Sequence, residues 1–256
     1  MLPLKDNIPT RHFPYLTVAI IVANVLVFFL FQKARLSLGG AAIDEANAVE
    51  FGAIPWEISH WGSHCAAEGR AIECGSRAAP GAPPTVLTIF TSMFMHGGLL
   101  HLAGNMLFLW IFGNNVEDSM GPVRFTVFYL LGGLVAIAAQ TLVAPNAQVP
   151  TIGASGAVAG VLGGYALLYP RARVVTLVFI IFFVTFIELP ALLVLGFWFL
   201  IQVLSGTADL ARPISEGGGV AYFAHIGGFV FGLLFIKLFA NRVHDDYLDR
   251  GRLPVY

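Results

Sequence analysis

Charge is what this chain has least of. Asp, Glu, Lys and Arg make up 11% of its 256 residues, against about 25% in soluble domains, and the net charge is −1. That excludes the basic face a nucleic-acid partner requires. Cysteine is limited to Cys65 and Cys74. There is no phosphate-binding P-loop, no dinucleotide fingerprint, no HExxH motif and no internal repeat, so neither a cofactor nor a metal is expected. What the chain does have is apolar mass: 57% of its residues are hydrophobic and its mean hydropathy is +0.78. Most of it is expected to be dissolved in lipid, with the bilayer as its first partner.

The apolar residues fall into discrete runs. A bilayer core of about 30 Å takes roughly 17–25 residues of helix. Runs at 15–31, 95–113, 123–143, 153–169, 190–206 and 222–240 read as spans. A seventh, "VVTLVFIIFFVTFIELP" (174–190), is ambiguous. The first run follows Lys5 and Arg11 as a secretory signal would. It is longer than the usual apolar core of a signal and no A-x-A site follows closely, so it reads as a retained span. A long polar loop, 32–90, separates the first two spans and carries six acidic residues. The division expected is an N-terminus (1–14), a membrane domain (15–240) and a charged tail (241–256).

Three marks carry chemistry. In "HGGLLHLAGNM", His101 and Asn105 are four apart and share a helix face. Polar side chains inside a membrane are costly and point to function, although hydrogen bonding between helices is an equal alternative. His96 and His101, five apart, diverge around a helix, and no intramembrane carboxylate completes a metal site. In "TIGASGAVAG", the glycines at 156, 160 and 164 form a small-residue stripe for close helix packing. Ser155 stands beside the top of that stripe, where the first N–H groups of the helix are free. In "FAHIGGFVFG", Ala224, Gly228 and Gly232 repeat the stripe with His225 at its top. Packed face to face, the stripes bring Ser155 and His225 together, a weak nucleophile beside a base of suitable pKa.

Parity constrains the topology. Ser155 and His225 each open a span and share a side only if an even number of crossings separates them. The run 174–189 is therefore expected to be an interfacial or re-entrant hairpin. With six spans, nine of the fourteen Lys and Arg fall on the side of the termini and five on the other. By the positive-inside rule the termini are cytoplasmic, although Lys33 and Arg35 run against it.

With "HGGLLHLAGNM", "FGNNVED", "GASGAVAG" and "AHIGGFVFG" in this order, the sequence resembles the rhomboid family of intramembrane serine proteases over roughly residues 85–240. The resemblance implies an all-α, six-transmembrane-helix rhomboid-like bundle. It implies a Ser155–His225 dyad without a third acid, and an oxyanion site made by His101, Asn105 and the N–H of Ser155. It gives His96, Gly153, Gly156, Gly228 and Gly232 supporting roles and makes Glu117 a structural anchor at the cytoplasmic end. The substrates it implies are transmembrane segments of other proteins, unwound near the membrane surface. The span 190–206 with Trp198, the loop after it and the glycine run 217–219 are the candidate gates. Two features depart from the family pattern. Ala159 stands where some members carry a tyrosine that stacks on the histidine. No Trp-Arg pair precedes the second span.

A prokaryotic cell membrane is the expected location. In the long loop, a Cys65–Cys74 disulfide is favoured over a metal site, because the spacing matches no common zinc pattern. A catalytically inactive binder of transmembrane clients, and a transporter, are the competing readings. The first would typically lack Ser155 or His225; the second would show repeats or an intramembrane carboxylate.

Overall fold

The computed structural model describes residues 2–37, 40–42, 45–68, 71–75, 81–180, 183–210 and 220–241. A short strand, β1 (Leu2–Asp6), precedes α1 (Tyr15–Leu26), which a π turn extends to Phe31. The long loop holds β2 (Arg35–Ser37), β3 (Gly40–Ala42), α2 (Glu45–Phe51), α3 (Pro55–Ser59), β4 (His64–Glu68) and β5 (Ala71–Gly75). After α4 (Thr85–Thr91), α5 (Leu99–Phe108) continues through a π turn into α6 (Asn114–Met120). Then come α7 (Pro122–Val143), α8 (Ser155–Leu168), the hairpin β6 (Arg173–Ile180) and β7 (Phe183–Pro190), α9 (Ala191–Leu210) and α10 (Tyr222–Phe239). The result is a mostly helical membrane bundle.

Among the described residues, four helices are long and apolar enough to cross a membrane: Leu99–Met120, Pro122–Val143, Ala191–Leu210 and Tyr222–Phe239. The second span thus starts four residues later than the apolar run and ends seven residues beyond it. Its polar end is helical because its side chains are satisfied from α1 and β1. Glu117 accepts the N–H groups of Leu16 and Thr17 at 3.0 and 2.7 Å, and Asn115 Nδ2 donates to Asp6 at 2.7 Å. A carboxylate on the free N–H groups of a helix start is well placed. Gly121, at φ +79°, ends this helix, and Pro122 opens the next.

The helix α8 is different in kind. Its 14 residues rise about 21 Å, well short of a bilayer core, and all but Ser155 and Leu167 are buried. It is the central post of the bundle, and its glycines explain why. A Cβ on Gly228 would lie 2.1 Å from the carbonyl oxygen of Gly156, and one on Gly232 would lie 2.0 Å from that of Gly160. The two stripes meet backbone to backbone.

The run 174–190 is an antiparallel β-hairpin, paired from Arg173↔Pro190 to Ile180↔Phe183. Its Val, Ile, Thr and Phe content suits a strand. Both ends lie side by side, so the chain returns to the level it left. β1 adds a third strand through Leu2↔Leu177 and Asp6↔Val174, a pairing the sequence pattern did not announce.

The described parts of the long loop are organised rather than a bare tether. A disulfide joins Cys65 and Cys74 across β4 and β5. The buried Glu57 accepts the N–H of Cys65 at 2.6 Å. Val49, Ile54 and Cys65 make a small apolar cluster with Trp56 and Ile72. The loop docks on the segment before α8: Trp56 N–H donates to the Ala147 carbonyl, and Ala53 and Thr151 exchange both backbone hydrogen bonds.

Asp6 carries a testable consequence. Burial pushes its carboxyl up to about 7, against the downward pull of a 2.6 Å hydrogen bond from Tyr165 Oη. The folded chain therefore holds this proton more tightly than the unfolded chain. The stabilisation is complete below the ordinary value of 3.8 and is lost as pH rises through about 7. The thermal midpoint in detergent is expected to fall across that window. Asp6→Asn is expected to flatten the fall, which melting curves at several pH values check.

Candidate active site

Ser155 is the first residue of α8, and no acceptor for its N–H occurs among the described residues. The chain reaches it through a short extended segment held on both sides. Thr151 is bridged to Ala53, and Gly153 N–H donates to the Ser92 carbonyl at 2.9 Å. Gly153 sits at φ +127°, and a Cβ there would come within 2.8 Å of the His101 ring and 3.5 Å of Ser155 Oγ. Both the backbone angle and the space demand glycine.

His225 enters from the first turn of α10. Its Nε2 lies 2.7 Å from Ser155 Oγ, the distance of a good hydrogen bond. Its Nδ1 lies 2.8 Å from Gln202 Oε1 on α9. The Trp198 ring lies 5.8 Å away at a 37° tilt. These two residues stand around the imidazole in a chain that has Ala159 at the family's tyrosine position.

The pair lies in a cavity of about 990 Å³. Ser155, His225, His101 and Asn105 all line it, together with Trp198 and the backbone at Thr151–Gly153. Asn105 is buried, and its Nδ2, a donor, has no partner among the described residues. A buried side-chain donor without a partner is rare in a folded protein, and this one lies on the cavity that Ser155 also lines. His101 Nδ1 faces the Gly97 N–H at 3.4 Å.

His96 is fully buried, its backbone N–H and carbonyl paired with the Gln32 side chain at 2.9 and 3.0 Å, and its ring edge-on to His101 at 5.1 Å. Glu117 of α6 is held by the first N–H groups of α1 and does not line the cavity. Cys65 and Cys74 are in the docked loop. The glycine run 217–219 and the tail from 242 lie outside the described residues.

Gln202 and Gln32 were not singled out from the sequence. Gln202 had a signal: it is the one amide in the apolar run 190–206, the same kind of mark that drew attention to Asn105. Gln32 had none, because its partner is 64 residues away.

The rhomboid domain model matches residues 83–242. Rhomboid protein 1, mitochondrial, of Saccharomyces cerevisiae is 32% identical over 155 residues, covering 58% of this chain and 40% of that protein. Rhomboid protease GluP of Bacillus subtilis is 32% identical over 156 residues, 61% of this chain and 24% of its own length. The human presenilin-associated rhomboid-like protein, mitochondrial, is 28% identical over 148 residues, 57% and 36% respectively. The chain spans less than half the length of these relatives. The integral membrane location is plain. The expected prokaryotic cell membrane is not supported, since the relatives include mitochondrial proteins.

Proposed function

The chain belongs to the rhomboid family, and from that premise we propose that it is an intramembrane serine endopeptidase that cuts transmembrane segments of other membrane proteins. The observation that carries this reading is the 2.7 Å contact between Ser155 Oγ and His225 Nε2 inside a cavity that Asn105 also lines, its Nδ2 without a partner among the described residues. His225 Nε2 takes the proton of Ser155 as Oγ attacks a peptide carbonyl carbon. The oxyanion is received by the N–H of Ser155, Asn105 Nδ2 and His101. His225 then gives the proton to the leaving nitrogen, and an acyl-enzyme remains. Water from the cavity, deprotonated by His225, hydrolyses the ester and restores Ser155.

Six crossings are proposed, with the termini cytoplasmic and the cavity open to the opposite face. The charge bias supports this orientation. So does the disulfide-bearing loop docked on the cavity side, since disulfides persist in oxidising compartments. The membrane domain is taken as 15–240. The shortness of α8 supports a substrate cut below the membrane surface, where a helix must unwind to expose a carbonyl.

The test is a serine-reactive fluorophosphonate applied to the purified chain, alongside a panel of transmembrane substrates. Labelling of Ser155 that depends on His225, together with cleavage, is the expected result. Failure of both in a folded protein would leave a client binder. Asn105→Ala is expected to slow turnover by on the order of 10²-fold with KM little changed, because an oxyanion donor acts in the transition state. Normal turnover per labelled site with a lower melting temperature would instead make Asn105 a tie between helices.

A further inference from the structure

The histidine of a serine–histidine dyad needs its proton on one particular nitrogen. To accept from Ser155, the neutral His225 ring must carry its hydrogen on Nδ1. A free imidazole divides between two tautomers, and the hydrogen bond made by one nitrogen sets the role of the other. In this chain the Nδ1 side is occupied by Gln202.

The orientation of the Gln202 amide follows from its second contact. Its Nε2 lies 3.3 Å from the Trp198 carbonyl, one helical turn back on α9. A carbonyl oxygen accepts and cannot donate, so the NH₂ end of the amide must face it. Oε1 is thereby turned to His225 at 2.8 Å. Oε1 only accepts, so Nδ1 donates and Nε2 is left as the acceptor for Ser155. Gln202 is buried, so water competes little for this contact. Among the described residues, those facing His225 are Ser155 from α8, Gln202 and Trp198 from α9 and, across the cavity, His101 from α5, and no Asp, Glu, Lys or Arg lines the cavity.

We propose that Gln202 is a positioning residue for the Ser155–His225 pair: its Trp198-anchored amide oxygen holds His225 in the Nδ1–H tautomer and orients the ring toward Ser155. This rests on the protease reading above. It also ties the imidazole to α9, through Gln202 and its Trp198 anchor.

The experiment uses the full chain in lipid vesicles with a transmembrane substrate that it cleaves. Gln202→Leu is expected to lower kcat about 10–100-fold with KM within about twofold, since loss of the correct tautomer costs up to ~10⁴ where the orienting group is a carboxylate. Gln202→Glu keeps an acceptor at the same place and is expected to recover most of that loss. A carboxylate there favours the imidazolium, so the acid limb of its kcat/KM profile is expected to move to higher pH. A merely structural role predicts the reverse order, with the apolar variant tolerated and the buried charge harmful. Turnover is expressed per fluorophosphonate-titrated site, so loss of folded protein does not mimic the effect.

A second readout does not depend on cleavage. In chain carrying ¹⁵N-histidine, the His225 signals, assigned by their disappearance in His225→Ala, are expected to report Nδ1–H in the wild type and a mixture in Gln202→Leu. An unchanged tautomer in Gln202→Leu, or a Gln202→Leu variant with wild-type kcat, overturns the proposal. A wild type that shows the Nδ1–H tautomer but neither labels nor cleaves overturns the protease reading instead and leaves the tautomer assignment standing.

Discussion

Ser155→Ala is expected to end cleavage of every transmembrane substrate, with a loss on the order of 10⁴–10⁶ in kcat. His225→Ala is expected to do the same. The reason lies in the single hydrogen bond that joins them. A serine hydroxyl is a poor nucleophile until a base removes its proton, and a base without the serine has nothing to activate. The two act as a unit, so the double variant is expected to be no slower than either single one. Neither change should disturb the fold. Ser155 is at the start of its helix, facing a cavity, and alanine at either position leaves the glycine stripes in contact. Cleavage of a reporter in vesicles, with helical content and melting temperature measured on the same samples, checks both halves. Ser155→Ala cutting at more than a few per cent of the wild-type rate would refute the mechanism.

Gly228→Ala is expected to have the next largest effect, although residue 228 touches no reacting atom. Its Cβ would lie 2.1 Å from the Gly156 carbonyl oxygen, 3.1 Å from the Gly156 carbonyl carbon and 3.3 Å from the Ala159 Cβ. The atoms in the way are mainly backbone and cannot rotate aside. α10 must move from α8 by about 1 Å, and overpacking of this kind costs about 1–3 kcal/mol. His225 is one turn above on the same helix, so the 2.7 Å contact to Ser155 opens with it. A 1 Å misplacement of a catalytic group costs about 10²-fold in rate. The expected signature is a fall in kcat that exceeds what the loss of folded protein explains. Gly196→Ala on α9 is the control, because nothing lies within 4 Å of a Cβ there. Equal behaviour of the two variants would show that helix spacing does not set the geometry of the site.

Much of the site is written in local pattern. Ser155 and His225 each head a stripe of small residues at four-residue spacing, and two such stripes favour one another. His101 and Asn105 stand out as polar residues in an apolar run. The hairpin 173–190 is legible in its Val, Ile, Thr and Phe, and parity requires a return rather than a crossing. The contacts that hold these pieces in register are not local. Ala53 pairs with Thr151, Gln32 with His96, and Asp6 with both Asn115 and Tyr165. No spacing rule connects residues so far apart in the chain, so no periodicity reveals them.

From its sequence by itself, the chain is a multi-span membrane protein with a serine and a histidine at one level, because burial in lipid forces long apolar runs and makes every polar exception conspicuous. Tertiary structure decided the rest. It joined Cys65 to Cys74 and bridged Ala53 of the long loop to Thr151, just before Ser155. It made β1 a strand of the hairpin sheet. It turned the Gln202 amide of α9 toward Nδ1 of His225. The physical reason is that composition and periodicity report what each segment prefers as a solvent. A hydrogen bond depends on where two segments meet, and only the packed fold brings Gln202 within 2.8 Å of His225.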